Sequence, residues 1–289
     1  MISLVYEQNK TIGNGHFSRC SSVQNALKQE QISSLLINEA EFKYNGEKGN
    51  IYILDLFDIK KCTSLIDVIG KDNLILTFDY FSNHAHPDLN ISVLEQFDEP
   101  RPYSNYVGLE YCIIRKDFLK HKILIEKPKN IFVYIGGSGY KELVTSISSK
   151  LAAVDYKVKL VRNQNSDSLD NISPNFEVHY LPENIIDLMN SSEFAITSPG
   201  LATMELLYLQ VPSVLCPLNN LHERFTDYFI ENDYAICRFD DFKSIDTARI
   251  EKVRNTIRNV IDGKGLERII QLIFHHYEQK MGSSFTLRK

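Results

Sequence analysis

Residues 131–139 read IFVYIGGSG, five apolar residues closed by a glycine-rich turn. An apolar run this short, bounded by glycine, predicts a strand buried on both faces, as in a parallel sheet. The downstream sequence repeats that unit. A helix is expected from about Tyr140, then strands YKVKLV (156–161) and FEVHY (176–180), helix ENIIDLMN (183–190) and strand FAITS (194–198). Helix ATMELLYL (202–209), strand PSVLC (212–216) and a helix from about Leu221 continue it. Strands alternating with helices specify an α/β domain with a mostly parallel sheet.

Upstream the same pattern has already run once. Ile2–Tyr6 reads as a first strand and residues 16–29 as a helix with Val23, Ala26 and Leu27 inward. Further strands are predicted at Ser33–Ile37, Ile51–Leu54 and Leu74–Phe78. Between the two series, residues 122–130 (KILIEKPKN) mix charge with proline and read as a linker. The chain therefore predicts two Rossmann-like domains, residues 1–124 and 125–264, facing across a cleft, with ligands at the carboxyl ends of strands. In the remaining segment, 265–289, Leu266, Ile269, Ile270, Ile273, Phe274 and Tyr277 form one apolar helical stripe. That stripe suits a core helix of the second domain, but the expectation for 265–289 is a helix that packs back on the first domain and bridges the two.

Composition narrows the function. The 289 residues carry a net charge of −5, so no global basic field gathers nucleic acid, and a phosphate site must be local. Cys20, Cys62, Cys112, Cys216 and Cys237 are odd in number, scattered and free of CxxC pairs, which fits a reducing, cytoplasmic setting without disulfides or structural zinc. The opening MISLVYEQNK lacks the basic start and apolar run of a signal peptide. No apolar stretch is long enough to span a bilayer, which leaves peripheral membrane contact open. Oligomeric state is not legible. His84 and His86 form HxH without a second ligand pair, and His275 and His276 flank the apolar stripe, so no metal site is expected.

Three segments carry chemistry. IGNGHFSRC (12–20) joins the first strand to the first helix. Gly13 and Gly15 permit a tight turn and close approach of a ligand. The pattern is GxGHxxR and not GxGxxG, so it does not predict a dinucleotide site. His16 stands at the strand's mouth, where an imidazole serves either as a general base or as a structural helix cap. In IGGSG (135–139), the amides of Gly136, Gly137, Ser138 and Gly139 can cradle phosphate oxygens. In SPGLATMELLYLQVPSVLCPLNN (198–220), Ser198, Pro199 and Gly200 make a turn, and Pro199–Thr203 again suits phosphate. Thr203 and Glu205 lie in the first helical turns after it. Glu205 suits two ribose hydroxyls, or is a surface carboxylate favoured by the helix N-terminus.

Together these segments resemble the nucleotide-sugar hydrolases of pseudaminic acid biosynthesis, the UDP-2,4-diacetamido-2,4,6-trideoxy-β-L-altropyranose hydrolases. That family is related to the MurG-type glycosyltransferases and shares their GT-B fold. The resemblance covers most of the chain, best over residues 131–236. It implies His16 as the base that activates water, and Gly137, Ser138, Leu201, Ala202, Thr203 and Glu205 as holders of UDP. It implies Asn220 near the diphosphate or sugar, Asp79 at the end of a first-domain strand, and Tyr111 and Arg115 before the linker. Arg19 belongs to the same GxGHxxRC motif. Where the family has Arg-x-Asp after the first strand, this chain has Tyr6-Glu7-Gln8, and the aspartate expected after the paired glycines is absent. The implied reaction is metal-independent hydrolysis of a UDP-linked amino sugar without a cofactor. Transfer to a sugar or lipid-linked hydroxyl is the alternative, and a non-catalytic nucleotide-sugar binder is the third reading.

Overall fold

Short strands that are apolar at nearly every position have two faces to cover, and the chain supplies a helix for each. The computed structural model describes residues 1–8, 15–94, 102–136, 141–162, 169, 172–180 and 182–282. The chain divides into two units, Met1–Arg115 with the chain from Gly263 onward, and Lys116–Asp262.

The first unit contains β1 (Ile2–Tyr6), α1 (Gly15–Gln29), β2 (Ser34–Asn38), β3 (Ile51–Asp55), α2 (Ile59–Ile69), β4 (Leu74–Phe78), β5 (Leu89–Ser92) and β6 (Ser104–Val107). A 3-10 turn comes next at Leu109–Tyr111. The second contains α3 (Lys116–Leu119), β7 (Asn130–Tyr134), α4 (Lys141–Leu151), β8 (Lys157–Arg162), β9 (Phe176–Tyr180), α5 (Ile185–Asn190) and β10 (Phe194–Thr197). It continues through α6 (Leu201–Tyr208), β11 (Ser213–Leu215), α7 (Asn220–Glu231), β12 (Cys237–Arg238) and α8 (Thr247–Ile257). Helix α9 (Gly265–Met281) then returns to the first unit.

All paired strands run parallel. The first sheet has the order β2-β1-β3-β4-β5-β6 and the second β12-β11-β10-β7-β8-β9. Both orders reverse direction at one place, between β1 and β3 in the first sheet and between β7 and β10 in the second. Such a switch point opens a crevice beyond the carboxyl ends of the strands.

Alternation along each strand splits the first unit's core in two. Ile2, Leu4, Ile51, Ile53, Leu74 and Leu76 face Val23 and Leu27 of α1 and Ile269 and Ile273 of α9. Val5, Tyr52, Leu54 and Ile75 face Cys62, Ile66 and Ile69 of α2. All six residues of the predicted C-terminal stripe pack on the first of these cores. Hydrogen bonds from Tyr277 to the Gly49 carbonyl and Arg268 to the Glu110 carbonyl, and the Lys280–Asp88 ion pair, also lie within the first unit.

The units divide at Arg115–Lys116, upstream of the expected boundary at 124. The segment after Lys116 is tied into the second unit by Asn190. Its amide donates to the Lys122 carbonyl and accepts from the Leu124 N–H, while the Lys127 ammonium donates to the Asn190 and Leu209 carbonyls. No helix among the described residues is long and apolar enough to cross a membrane.

Candidate functional site

The first unit gathers four polar side chains at its switch point. In the register of β1 and β3, Tyr6 is paired with Asp55, so the last residue of β3 lies beside the chain leaving β1. Helix α1 begins there at Gly15 and carries His16 and Arg19 in its first turns. Oδ1 of Asp55 accepts from Nδ1 of His16 at 2.7 Å and from Nη2 of Arg19 at 2.6 Å. Oδ2 accepts from Nε of Arg19 at 2.7 Å. The remaining arm of Arg19, Nη1, donates to Oδ2 of Asp79 at 2.5 Å, and its guanidinium lies 4.6 Å from the centre of the Phe78 ring. Asp79, the residue after β4, adopts a φ of 49°, a strained conformation for a residue with a side chain and one seen at functional sites.

The charges settle the proton. Asp55 is 0% exposed, and burial by itself would raise its carboxyl. The charge and hydrogen bonds of Arg19, joined by His16, outweigh burial and hold it at about 2. An ionised carboxylate only accepts, so Nδ1 of a neutral His16 carries the hydrogen and Nε2 keeps its lone pair. That is the tautomer a general base needs, oriented by a third group. Asp55 is sealed from solvent and so is not placed to act as a nucleophile, while Asp79 has one oxygen on Arg19 and a side chain 37% exposed. Cys20 lies 4.0 Å from Asp55, and burial together with that charge pushes its thiol up, so thiolate chemistry is not available there.

Asp55 is the residue the sequence reading missed. Its signal was an aspartate ending an apolar strand, ILD (53–55). Glu7, where the resembled family differs, has its carboxylate on the Asp58 N–H and on Lys61, which also pairs with Glu39.

The second unit brings its two turns together in the same way. Strands β7 and β10 are neighbours. The Gly136 N–H donates to Oγ of Ser198 at 3.0 Å, and a Cβ at Gly136 would come within 3.3 Å of that oxygen. Thr197 Oγ1 donates to the Tyr134 carbonyl at 2.8 Å, and Thr203 Oγ1 to the Ser198 carbonyl at 3.1 Å. Gly200 precedes α6 with a φ of 154°, a value that favours glycine. It caps α6 without a side-chain hydrogen bond, and a Cβ there would meet nothing within 4 Å. The helix thus presents its first amides and the positive end of its dipole beside an open position, an arrangement suited to phosphate. Pro199, Thr203 and Glu205 are buried, Ala202 is half-buried, and Leu201 is exposed. Glu205 is therefore not the surface carboxylate that was one reading of it.

The other expected residues are more dispersed. Asn220 is the exposed first residue of α7, whose cap is the Asn219 side chain accepting from the His222 N–H. Tyr111 packs edge-on to Tyr106, 5.9 Å between ring centres, on the core shared with α9. Arg115 is exposed at the end of the first unit's main segment. Gly13, Gly137, Ser138 and Gly139 lie outside the described residues. Among the described residues no group of three or more His, Cys, Asp or Glu side chains could hold a metal ion.

No protein-family model matches the chain. An uncharacterised protein of Methanocaldococcus jannaschii is 24% identical over 279 residues, covering 78% of this chain. The UDP-N-acetylglucosamine–N-acetylmuramyl-(pentapeptide) pyrophosphoryl-undecaprenol N-acetylglucosamine transferase of Thermosipho melanesiensis is 32% identical over 101 residues, 35% of this chain. The chain spans 58% of the first relative's length and 30% of the second's. Among solved structures, the glycosyltransferase of kitacinnamycin matches 95% of this chain and 98% of its own, with a TM-score of 0.65 and 12% identity. MurG of Acinetobacter baumannii matches 94% of this chain and 98% of its own, with a TM-score of 0.63 and 13% identity. The fold is that of the GT-B glycosyltransferases, two Rossmann-like domains in one chain.

Proposed function

We propose that this chain is a nucleotide-sugar-dependent glycosyltransferase in which His16 is the general base. The observation that carries the reading is the Asp55–His16 hydrogen bond of 2.7 Å to a carboxylate held at about 2, because it leaves Nε2 as the proton acceptor. The second unit holds the nucleotide. The turn at Gly136 and the start of α6 take the diphosphate, and Glu205 takes the ribose hydroxyls. UDP is the nucleotide favoured, on the resemblance of the three motifs to UDP-sugar hydrolases and on the partial likeness to a UDP-N-acetylglucosamine-dependent transferase.

The reaction is a single displacement. An acceptor O–H gives its proton to Nε2 of His16 as the oxygen bonds to the anomeric carbon. The bond from that carbon to the diphosphate breaks, and its electron pair leaves on the phosphate oxygen. In the second unit, the amides at Gly136 and at the start of α6 suit the negative charge of a diphosphate. Such a single displacement forms no covalent glycosyl intermediate and inverts the anomeric configuration. Transfer is preferred to the hydrolysis that the sequence motifs implied, because the named relatives with an activity are transferases. Hydrolysis uses the same base with water in place of the acceptor.

The test is incubation with a panel of UDP-sugars, with and without acceptors, scored for free UDP and glycosylated product, in wild type and His16→Asn. Transfer predicts acceptor-dependent UDP release that disappears in the variant. UDP release at full rate without acceptor would assign hydrolysis. No UDP release, together with no UDP binding, would remove the nucleotide-sugar reading.

A further inference from the structure

An aromatic ring beside His16, and a second one residue further along α1, have no place in the core. Phe57, two residues after Asp55, is 60% exposed, and its ring stands edge-on to the His16 imidazole, 6.4 Å between centres. Phe17, the neighbour of His16 on α1, is 37% exposed, and its ring meets Tyr6 edge-on at 5.2 Å. Neither phenylalanine is part of the two cores that fill this unit. Ile59, two residues after Phe57 at the start of α2, is 39% exposed as well. An exposed phenylalanine forgoes the burial that most aromatic side chains gain on folding.

The placement matters more than the exposure. Phe57 comes just after the carboxylate that orients the base, and Phe17 just after the base. A hydroxyl that approaches His16 comes to a site with the Phe57 ring as a neighbour. Water needs no such wall, whereas an organic acceptor is oriented by it: the polar edge meets the imidazole and the apolar face lies on carbon. We propose that Phe57, with Phe17 and Ile59, forms an acceptor platform, and that the acceptor is an organic alcohol presenting an apolar ring face, either aryl or the C–H face of a sugar. This rests on His16 being the base that receives the acceptor's proton, and it deepens that reading by naming the acceptor's class.

The chain contains no tryptophan, so a single substitution supplies a local emitter. Phe57→Trp is titrated with phenyl β-D-glucoside and, separately, with methyl β-D-glucoside. Ile125→Trp, at a position 81% exposed in the second unit, is the control. The expected result is a saturable blue shift at position 57 and none at position 125. A response to the phenyl compound alone assigns an aryl face, and an equal response to both assigns the sugar face. Where Phe57→Trp does not fold, Phe17→Trp is used in the same way. In turnover, Phe57→Ala should raise the acceptor KM about three- to tenfold, the worth of one aromatic contact. Silence at both positions 57 and 17 with either glucoside, or an equal response at 125, overturns the proposal. The base is tested separately. A response at 57 with turnover unaffected by His16→Asn keeps the platform and refutes the base, and silence at 57 with turnover lost in His16→Asn does the reverse.

Discussion

Replacing Asp55 with asparagine changes one atom and should disable the first site. Oδ1 serves both His16 and Arg19, and Oδ2 serves the Nε of Arg19. An amide offers one acceptor and one donor in those two places. If its oxygen stays at Oδ1, the new NH2 faces the Arg19 Nε–H, donor against donor. If the amide turns over, it donates to Nδ1 of His16, and the imidazole must carry its hydrogen on Nε2, where the base is needed.

Both outcomes cost stability as well. Lowering Asp55 from 3.8 to about 2 corresponds to about 2 kcal/mol of folding free energy. Its folded value lies below its ordinary one, so this contribution is complete above about pH 4 and is lost as the pH falls towards 2. Asp55→Asn should therefore melt earlier than wild type at neutral pH, and the difference should vanish in strong acid. Turnover should fall by about two to four orders of magnitude, the range for losing a base or its correct tautomer. Because base and orienting carboxylate act as a unit, the double variant His16→Ala/Asp55→Asn should be no slower than His16→Ala alone. The assay is UDP release under saturating donor, with thermal melting on the same samples. Undiminished turnover in a folded Asp55→Asn protein, or losses that add in the double variant, would refute the reasoning.

The same geometry fixes other outcomes. His16→Asn should lower turnover by about two to four orders of magnitude while UDP affinity, measured by calorimetry, holds. Glu205→Ala should weaken UDP binding by roughly 1–3 kcal/mol through the loss of charged hydrogen bonds, and unchanged calorimetry would remove Glu205 from the nucleotide site. Gly265→Ala would put a Cβ 2.2 Å from the Cys112 carbonyl oxygen and 2.7 Å from two backbone carbons, so α9 must shift. That overpacking should cost about 1–3 kcal/mol in thermal or urea unfolding.

Most of the architecture was legible because parallel strands buried on both faces leave continuous apolar runs. ISLVY, IYIL, LILTF, IFVY and FAIT all appear as strands close to where the sequence places them. Strands β5 (LNIS) and β6 (SNYV) were not legible, since half their residues are polar and Asn90 is held in place by Thr77, Tyr80 and Asn105, contacts no local pattern announces. The site divides along the same line. His16 and the glycine turns announce themselves as strand-to-helix junctions. Asp55 is separated from His16 by 39 positions, and only the pairing of β1 with β3 brings them together. Arg19 could be picked out by its motif, but its engagement with Asp55 and Asp79 depends on two further strand ends.

The return of α9 to the first unit has a consequence for synthesis. The strands made first leave one sheet face, with Ile2, Leu4, Ile53 and Leu76, partly uncovered until Ile269 and Ile273 emerge. The intervening unit runs from Lys116 to Asp262, and at ribosomal speeds its translation takes roughly 7 to 30 seconds. The second unit has all its strands and helices in one continuous stretch and can complete its fold while the first still waits for its last helix. The unit begun first on the ribosome is thus the one finished last, and a nascent chain stalled before residue 265 presents a partly uncovered apolar sheet face to chaperones or to another chain.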